Sequence, residues 1–217
     1  GDILLALNRR EEALDFVKNC FEINQDTTIF YYLMNLDKNF YSPDKVDSYV
    51  DQATSLPVFS LYGGTRKPTP EMLEGVEVLV YDIQDIGVRS YTYISTMGLA
   101  MEAAADLEIP FMVLDRPNPL GGLKVEGSLV DPEFESFVSK FPIPYVYGLT
   151  PAEIALMINH KGWMDIKKKA ELIVISMEGW TREMTFEQTG LPWVPTSPHI
   201  PHSYSPYYYA ASGVMGE

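Results

Sequence analysis

Past residue 55 the sequence keeps switching between short apolar runs and longer stretches with helical spacing, and that rhythm restricts the fold more than any other feature. Residues 76–81 (VEVLVY), 110–114 (PFMVL) and 172–176 (LIVIS) are short, aliphatic and rich in β-branched side chains, the texture of buried strands. Residues 56–62 read the same way. Residues 93–107 place Ile94, Met97, Met101 and Ala104 on one helical face. Residues 151–159 follow Thr150-Pro151-Ala152-Glu153, a capping box with proline in the first turn, and residues 70–73 read as a further helical turn. Strands alternating with helices imply a parallel sheet buried on both faces, because each crossover lays a helix across the strands. The expected class is α/β.

The start of the chain has a different texture. Residues 1–36 carry Leu4, Leu5, Ala13, Leu14, Val17, Phe21 and Ile23 at helical spacing. The stretch GDILLALNRREEALDFVKNCFEIN resembles part of one tetratricopeptide-type unit, with Gly1, Ala13 and Cys20 at its small-residue positions and Gln25 where proline is usual. One such unit cannot bury its own faces, since a solenoid needs about three repeats. Residues 37–54 are polar and turn-rich and read as a linker. The expected order is a helical segment over 1–36, a linker over 37–54, the α/β domain over 55–177 and the start of a second domain over 178–217.

Composition narrows the chemistry. The formal charge is −14, with 30 acidic and 16 basic residues, so phosphate-rich partners such as nucleic acid or an anionic membrane are disfavoured. No apolar run approaches the roughly 20 residues that span a bilayer, and no leader pattern opens the chain. The single cysteine, Cys20, excludes an internal disulfide and a cysteine-rich zinc site. No G-x-G-x-x-G follows a strand and no G-x-S-x-G is present, which leaves nucleotide binding and nucleophile-elbow hydrolysis without support. His199 and His202 stand three apart in a proline-rich loop, a setting that suits hydrogen bonding or substrate contact better than metal binding. No metal and no organic cofactor is expected.

In open α/β sheets ligands bind beyond the carboxyl ends of the strands, so the polar residues that directly follow an apolar run are the candidates. VLVYDIQDIGVRSYT delivers Asp82, Gln84, Asp85, Arg89 and Tyr91, and LDRPNPLGG delivers Asp115, Arg116 and Asn118. Glu126 follows a Gly-Gly turn and precedes Gly127, which suggests close backbone approach. Paired carboxyl groups of this kind suit glycoside hydrolysis, in which one donates a proton and the other activates water or attacks the anomeric carbon. Asp82, Asp85 and Glu126 are the expected catalytic groups. The plain alternative for Asp82 and Asp115 is a strand-end aspartate capping the next turn. Arg66, Arg89 and Arg116 each offer a planar fork for a carboxylate, or equally for an aspartate of the protein itself. Trp193, in GLPWVPTSPHIP, is an expected stacking residue for a sugar face, and His199 an expected binding group.

Taken together, LPVFSLYGGTRKPTPEMLEGVEVLVYDIQDIGVRSYTYISTMGLAMEAA, VLDRPNPLGG, VEGSLV and GLPWVPTSPHIP resemble the NamZ-type exo-β-N-acetylmuramidase family, from about residue 49 to the end. The resemblance implies a Rossmann-like domain followed by a smaller C-terminal domain, here cut short, with a sugar held between them. It also implies release of terminal N-acetylmuramic acid from peptidoglycan fragments, a muropeptide or disaccharide substrate, and a periplasmic or secreted location. The lactyl carboxylate of that sugar gives the arginines an anion to bind. The family's Pro-Glu-His-Gly motif, whose glutamate is a candidate acid, has no counterpart in the sequence. Two other readings stand beside this one: a muropeptide-binding module without turnover, and a helical-repeat interaction protein working through residues 1–36.

Overall fold

The computed structural model describes residues 48–50, 56–62 and 64–213. The tetratricopeptide-like stretch, Cys20 and most of the expected linker lie outside them. Three strands form the central sheet: β3 (Leu79–Tyr81), β4 (Phe111–Leu114) and β5 (Leu172–Ile175), parallel and in the order β3-β4-β5. Leu79, Phe111 and Leu172 stand in register across them, as do Tyr81, Val113 and Val174. Helix α1 (Tyr93–Asp106) joins β3 to β4, and α2 (Pro151–Lys161) lies between β4 and β5. The strand order never reverses, so right-handed crossovers put both helices on one face of the sheet.

That face is the main core. Leu79, Tyr81, Phe111 and Val113 pack with Ile94, Met97, Met101 and Ala104 of α1 and with Ala152, Ile154, Ala155 and Ile158 of α2. Each large side chain so buried contributes about 1.5–3 kcal/mol of transfer free energy. The alternating residues Val80, Met112 and Leu114 point the other way and are buried too, as parallel strands require. The capping box at α2 is present in full: Thr150 accepts from the Glu153 amide and Glu153 accepts from the Thr150 amide.

Two local expectations change. The run over 56–62 contributes only β2 (Pro57–Val58), which pairs antiparallel with β1 (Tyr49–Val50), apart from the main sheet and using the end of the expected linker. An apolar run states that a strand exists but not what it pairs with. Residues 70–75 form hydrogen-bonded turns rather than a helix, with Leu73 N–H donating to the Thr69 and Pro70 carbonyls.

A second, smaller cluster sits past the carboxyl end of β3. Ile86, Val88, Leu120, Val146 and Ile200 pack together, with Tyr91, Tyr145, Trp193 and Tyr209 against them. Val146 bridges to Val88 on one side and to Glu126 on the other. Trp193 and Ile200, which fall in the segment expected to begin a second domain (178–217), thus lie against the loop that leaves β3. Helix α3 (Ser205–Ser212) follows them.

Candidate active site

The loop after β3 folds back on itself around Asp85. Its Oδ2 accepts from the Gly87 amide at 2.7 Å, an aspartate turn two residues long, and from the Tyr147 hydroxyl. Gly87 has φ +80°, and a Cβ there would stand 2.3 Å from Asn118 Oδ1, so only glycine lets the β3 and β4 loops meet this closely. Asp85 is 3% exposed, and its Oδ1 is buried with no hydrogen-bond partner. Burial pushes its carboxyl up to about 6, against the opposing pull of Tyr147 and, more weakly, of the Gly87 and Ile86 amides. Gln84 pins the loop from outside, donating to the Asp85 carbonyl at 2.7 Å and the Pro117 carbonyl at 2.8 Å.

Asp82, directly after β3, meets Arg116, the second residue past β4: Nε and Nη2 both lie 2.7 Å from Asp82 Oδ1. The pair ties the two loops together, so the Arg116 fork serves a protein carboxylate. Asp115 caps α2. Its Oδ1 accepts from the amides of Arg116 and Ala152, both at 3.0 Å, and its Oδ2 accepts from the Thr150 hydroxyl at 2.9 Å. Burial raises its pKa, and those hydrogen bonds oppose the rise. Expected as a binding group, Asp115 spends both oxygens on an orphan helix amide and its surroundings. Asn118 is buried and likewise internal, donating to the Leu149 carbonyl and accepting from the Leu120 amide, both at 2.9 Å.

The remaining expected residues spread outward. Arg89 donates from Nη1 to the carbonyls of Ser128 at 2.7 Å and Ile143 at 2.5 Å, and from Nε to Ser139 Oγ at 3.3 Å. Burial lowers its pKa. Rather than presenting its fork to an anion, it holds the irregular segment over 128–143. Tyr91 donates to Thr196 Oγ1 at 2.8 Å, and Tyr93 to the Thr196 carbonyl at 2.5 Å. Trp193 lends its indole N–H to the Ile200 carbonyl at 3.2 Å and meets Phe186 edge to face, which commits it to packing. His199 is exposed, its amide donating to Ser197 Oγ at 3.2 Å.

Glu126 is exposed and joined to Val146 by two backbone hydrogen bonds of 2.9 Å. Glu126 is thus open to solvent, whereas Tyr147, the partner of Asp85, is buried. The close approach at Gly127 is real, since a Cβ there would lie 2.7 Å from the Tyr145 Cβ, but it is packing within the protein.

The structure thus gathers Asp82, Gln84, Asp85, Arg116 and Asn118 at one sheet edge and adds Tyr147, which sequence reasoning missed. Tyr147 lies in the same YVYG run whose Val146 aligns with Val88, and nothing in its local pattern separates it from other core tyrosines. Only the long-range pairing brings it to Asp85.

A family model described as Exo-beta-N-acetylmuramidase NamZ, N-terminal, matches residues 14–204. The chain belongs to that family. Peptidoglycan beta-N-acetylmuramidase NamZ of Bacillus subtilis (strain 168) is 51% identical over 172 residues, which are 79% of this chain and 41% of the relative. The crystal structure of a DUF1343 family protein from Bacteroides fragilis NCTC 9343 superposes with a TM-score of 0.74 at 60% identity, over 76% of this chain and 43% of that one. A second DUF1343 protein of the same organism gives 0.67 at 34% identity, over 74% and 43%. The chain therefore spans less than half the length of these relatives. The NamZ match opens at residue 14, inside the stretch read above as a separate helical segment, and closes just before α3. All of the sheet-edge residues described above fall within the NamZ span.

Proposed function

We propose that this chain carries the acid side of a peptidoglycan glycosidase that releases terminal N-acetylmuramic acid, with Asp85 as proton donor. One observation carries the reading: at the edge where an open parallel sheet binds ligands, Asp85 is the buried aspartate that keeps an oxygen free of protein partners. A carboxyl that burial lifts to about 6 keeps its proton in mildly acidic solution and a fraction of it near neutral pH, which suits donation to a glycosidic oxygen. Membership of the NamZ family and the name of the Bacillus subtilis relative support the sugar class.

The step balances as follows. The Oδ1–H bond breaks as its proton passes to the glycosidic oxygen, which takes the electron pair of its bond to the anomeric carbon. Water supplies the hydroxyl gained by that carbon and, over the cycle, the proton that returns to Asp85. The test is release of chromophore from an aryl β-N-acetylmuraminide. Wild type should release it, and Asp85→Asn should not. Release at equal rates by both proteins would remove Asp85 from the reaction.

A second reading, binding without cleavage, is favoured by the fate of the other carboxylates. Asp82 is paired with Arg116, and Asp115 accepts from the Ala152 amide and the Thr150 hydroxyl, so the protein's own groups compete with a ligand for both carboxylates. Saturable binding of N-acetylmuramic acid with no turnover by wild type would select this reading.

A further inference from the structure

We infer that Tyr147 is the positioning residue that decides which oxygen of Asp85 carries the proton. The inference deepens the reading of Asp85 as proton donor and rests on it for its catalytic meaning, though not for its geometry. Oδ2 receives two donors, the Tyr147 hydroxyl and the Gly87 amide, whereas Oδ1 is buried and receives none. In a neutral carboxyl group the carbonyl oxygen accepts and the hydroxyl oxygen donates. Two donors converging on Oδ2 fix it as the carbonyl, so the proton resides on Oδ1. No protein acceptor meets that proton.

Tyr147 acts in the opposite direction from burial. Its hydrogen bond strengthens Asp85 as an acid, and after the proton leaves it steadies the new carboxylate at Oδ2, with no movement of the side chain. The other ionisable groups that bear on the pair are Tyr81 at the end of β3, Tyr91 before α1, and the Asp82–Arg116 pair, whose charges act on Tyr81. Tyr81, Tyr91 and Tyr147 are all pushed up by burial, so they stay neutral while Asp85 titrates.

The experiment is a pH titration of the full chain labelled with 13C at aspartate carboxyls, the Asp85 signal being the one that Asp85→Asn removes. Wild type should titrate near 6. Tyr147→Phe fills the same space without the hydroxyl and should move the midpoint up by roughly one to two pH units, the worth of one hydrogen bond to a charged group. A midpoint that stays in place or falls overturns the inference. If the midpoint moves and neither protein hydrolyses the muraminide, the glycosidase reading fails while the pairing stands. If hydrolysis occurs and the midpoint does not move, the pairing alone fails. Where hydrolysis occurs, Tyr147→Phe should lower kcat, leave KM nearly unchanged and carry the basic limb of the kcat profile upward with the midpoint. The reciprocal measurement guards against a misfolded variant: Asp85→Asn removes a charge that raises the Tyr147 pKa, so the Tyr147 ring carbon should titrate at lower pH than in wild type. No change there also overturns the inference.

Discussion

The loops leaving β3 and β4 begin alike, each with an aspartate at the first position past a buried strand, and groups of the protein engage both of those aspartates. Asp82 answers Arg116, and Asp115 answers the amide of Ala152 and the hydroxyl of Thr150. Asp85, three residues deeper in the β3 loop, is more enclosed than its position suggests and has an oxygen to spare. Burial lifts both Asp85 and Asp115, so a raised pKa alone does not separate them. What separates them is the count of protein donors on each oxygen. A carboxylate fully supplied by its own fold has nothing left to offer a ligand.

The sharpest way to break this contrast is to neutralise each aspartate without changing its shape. Asp85→Asn should cost about 10²–10⁴ in kcat on an aryl β-N-acetylmuraminide, the usual worth of a general acid. Asp115→Asn, compared per folded molecule, should stay within a few-fold of wild type. Equal losses would erase the distinction.

Arg116→Met tests the loop-tying role of the first-position pair. It leaves Asp82 charged and little exposed without a partner, and should lower unfolding free energy by about 3 kcal/mol in urea titration. Adding Asp82→Asn should restore much of that loss, because the stranded charge is then gone.

The pH dependence of stability sharpens the comparison from the other side. The folded midpoint of Asp85 near 6 lies above the ordinary 3.8, so its contribution to stability is fully present below about 4 and is lost as pH rises through 6. Wild type minus Asp85→Asn, followed by denaturation from pH 4 to 6.5, should fall by about 2–3 kcal/mol. A flat difference would mean that Asp85 is ionised at ordinary cost. The smallest effect belongs to the cap: Asp115→Ala should cost about 1–2 kcal/mol of stability, read as a modest drop in Tm, and shift no titration near 6.

The elements were legible in the sequence where one local rule governs them. Ile94, Met97, Met101 and Ala104 share a buried face, and Thr150 and Glu153 cap α2, because helical spacing and capping depend only on neighbours in the chain. The clustering of Asp82, Gln84, Asp85, Arg116 and Asn118 was legible for a related reason: in a parallel sheet every strand delivers its next residues to one edge. The roles within that cluster were not. Arg89 finds carbonyls 39 and 54 residues away, and Tyr147 reaches back 62 residues to Asp85. Such partners follow from how loops cross, and no periodicity encodes the crossing. The strand over 56–62 was misplaced for the same cause, since its partner is set by tertiary pairing.

Gly87 carries a consequence for anyone who would move this site. The amide of that residue holds Asp85, and the missing side chain of the same residue makes room for Asn118 from the neighbouring loop. One position thereby serves both a turn and a seam, and the two demands cannot be met separately. Inserting a residue between Asp85 and Gly87, or lengthening the path from Leu114 to Asn118, would misalign both loops at once. Transplanted to another parallel sheet, the two loops travel as a block or lose their geometry, which makes them a single unit of inheritance and of engineering despite the helix and strand that separate them in the chain.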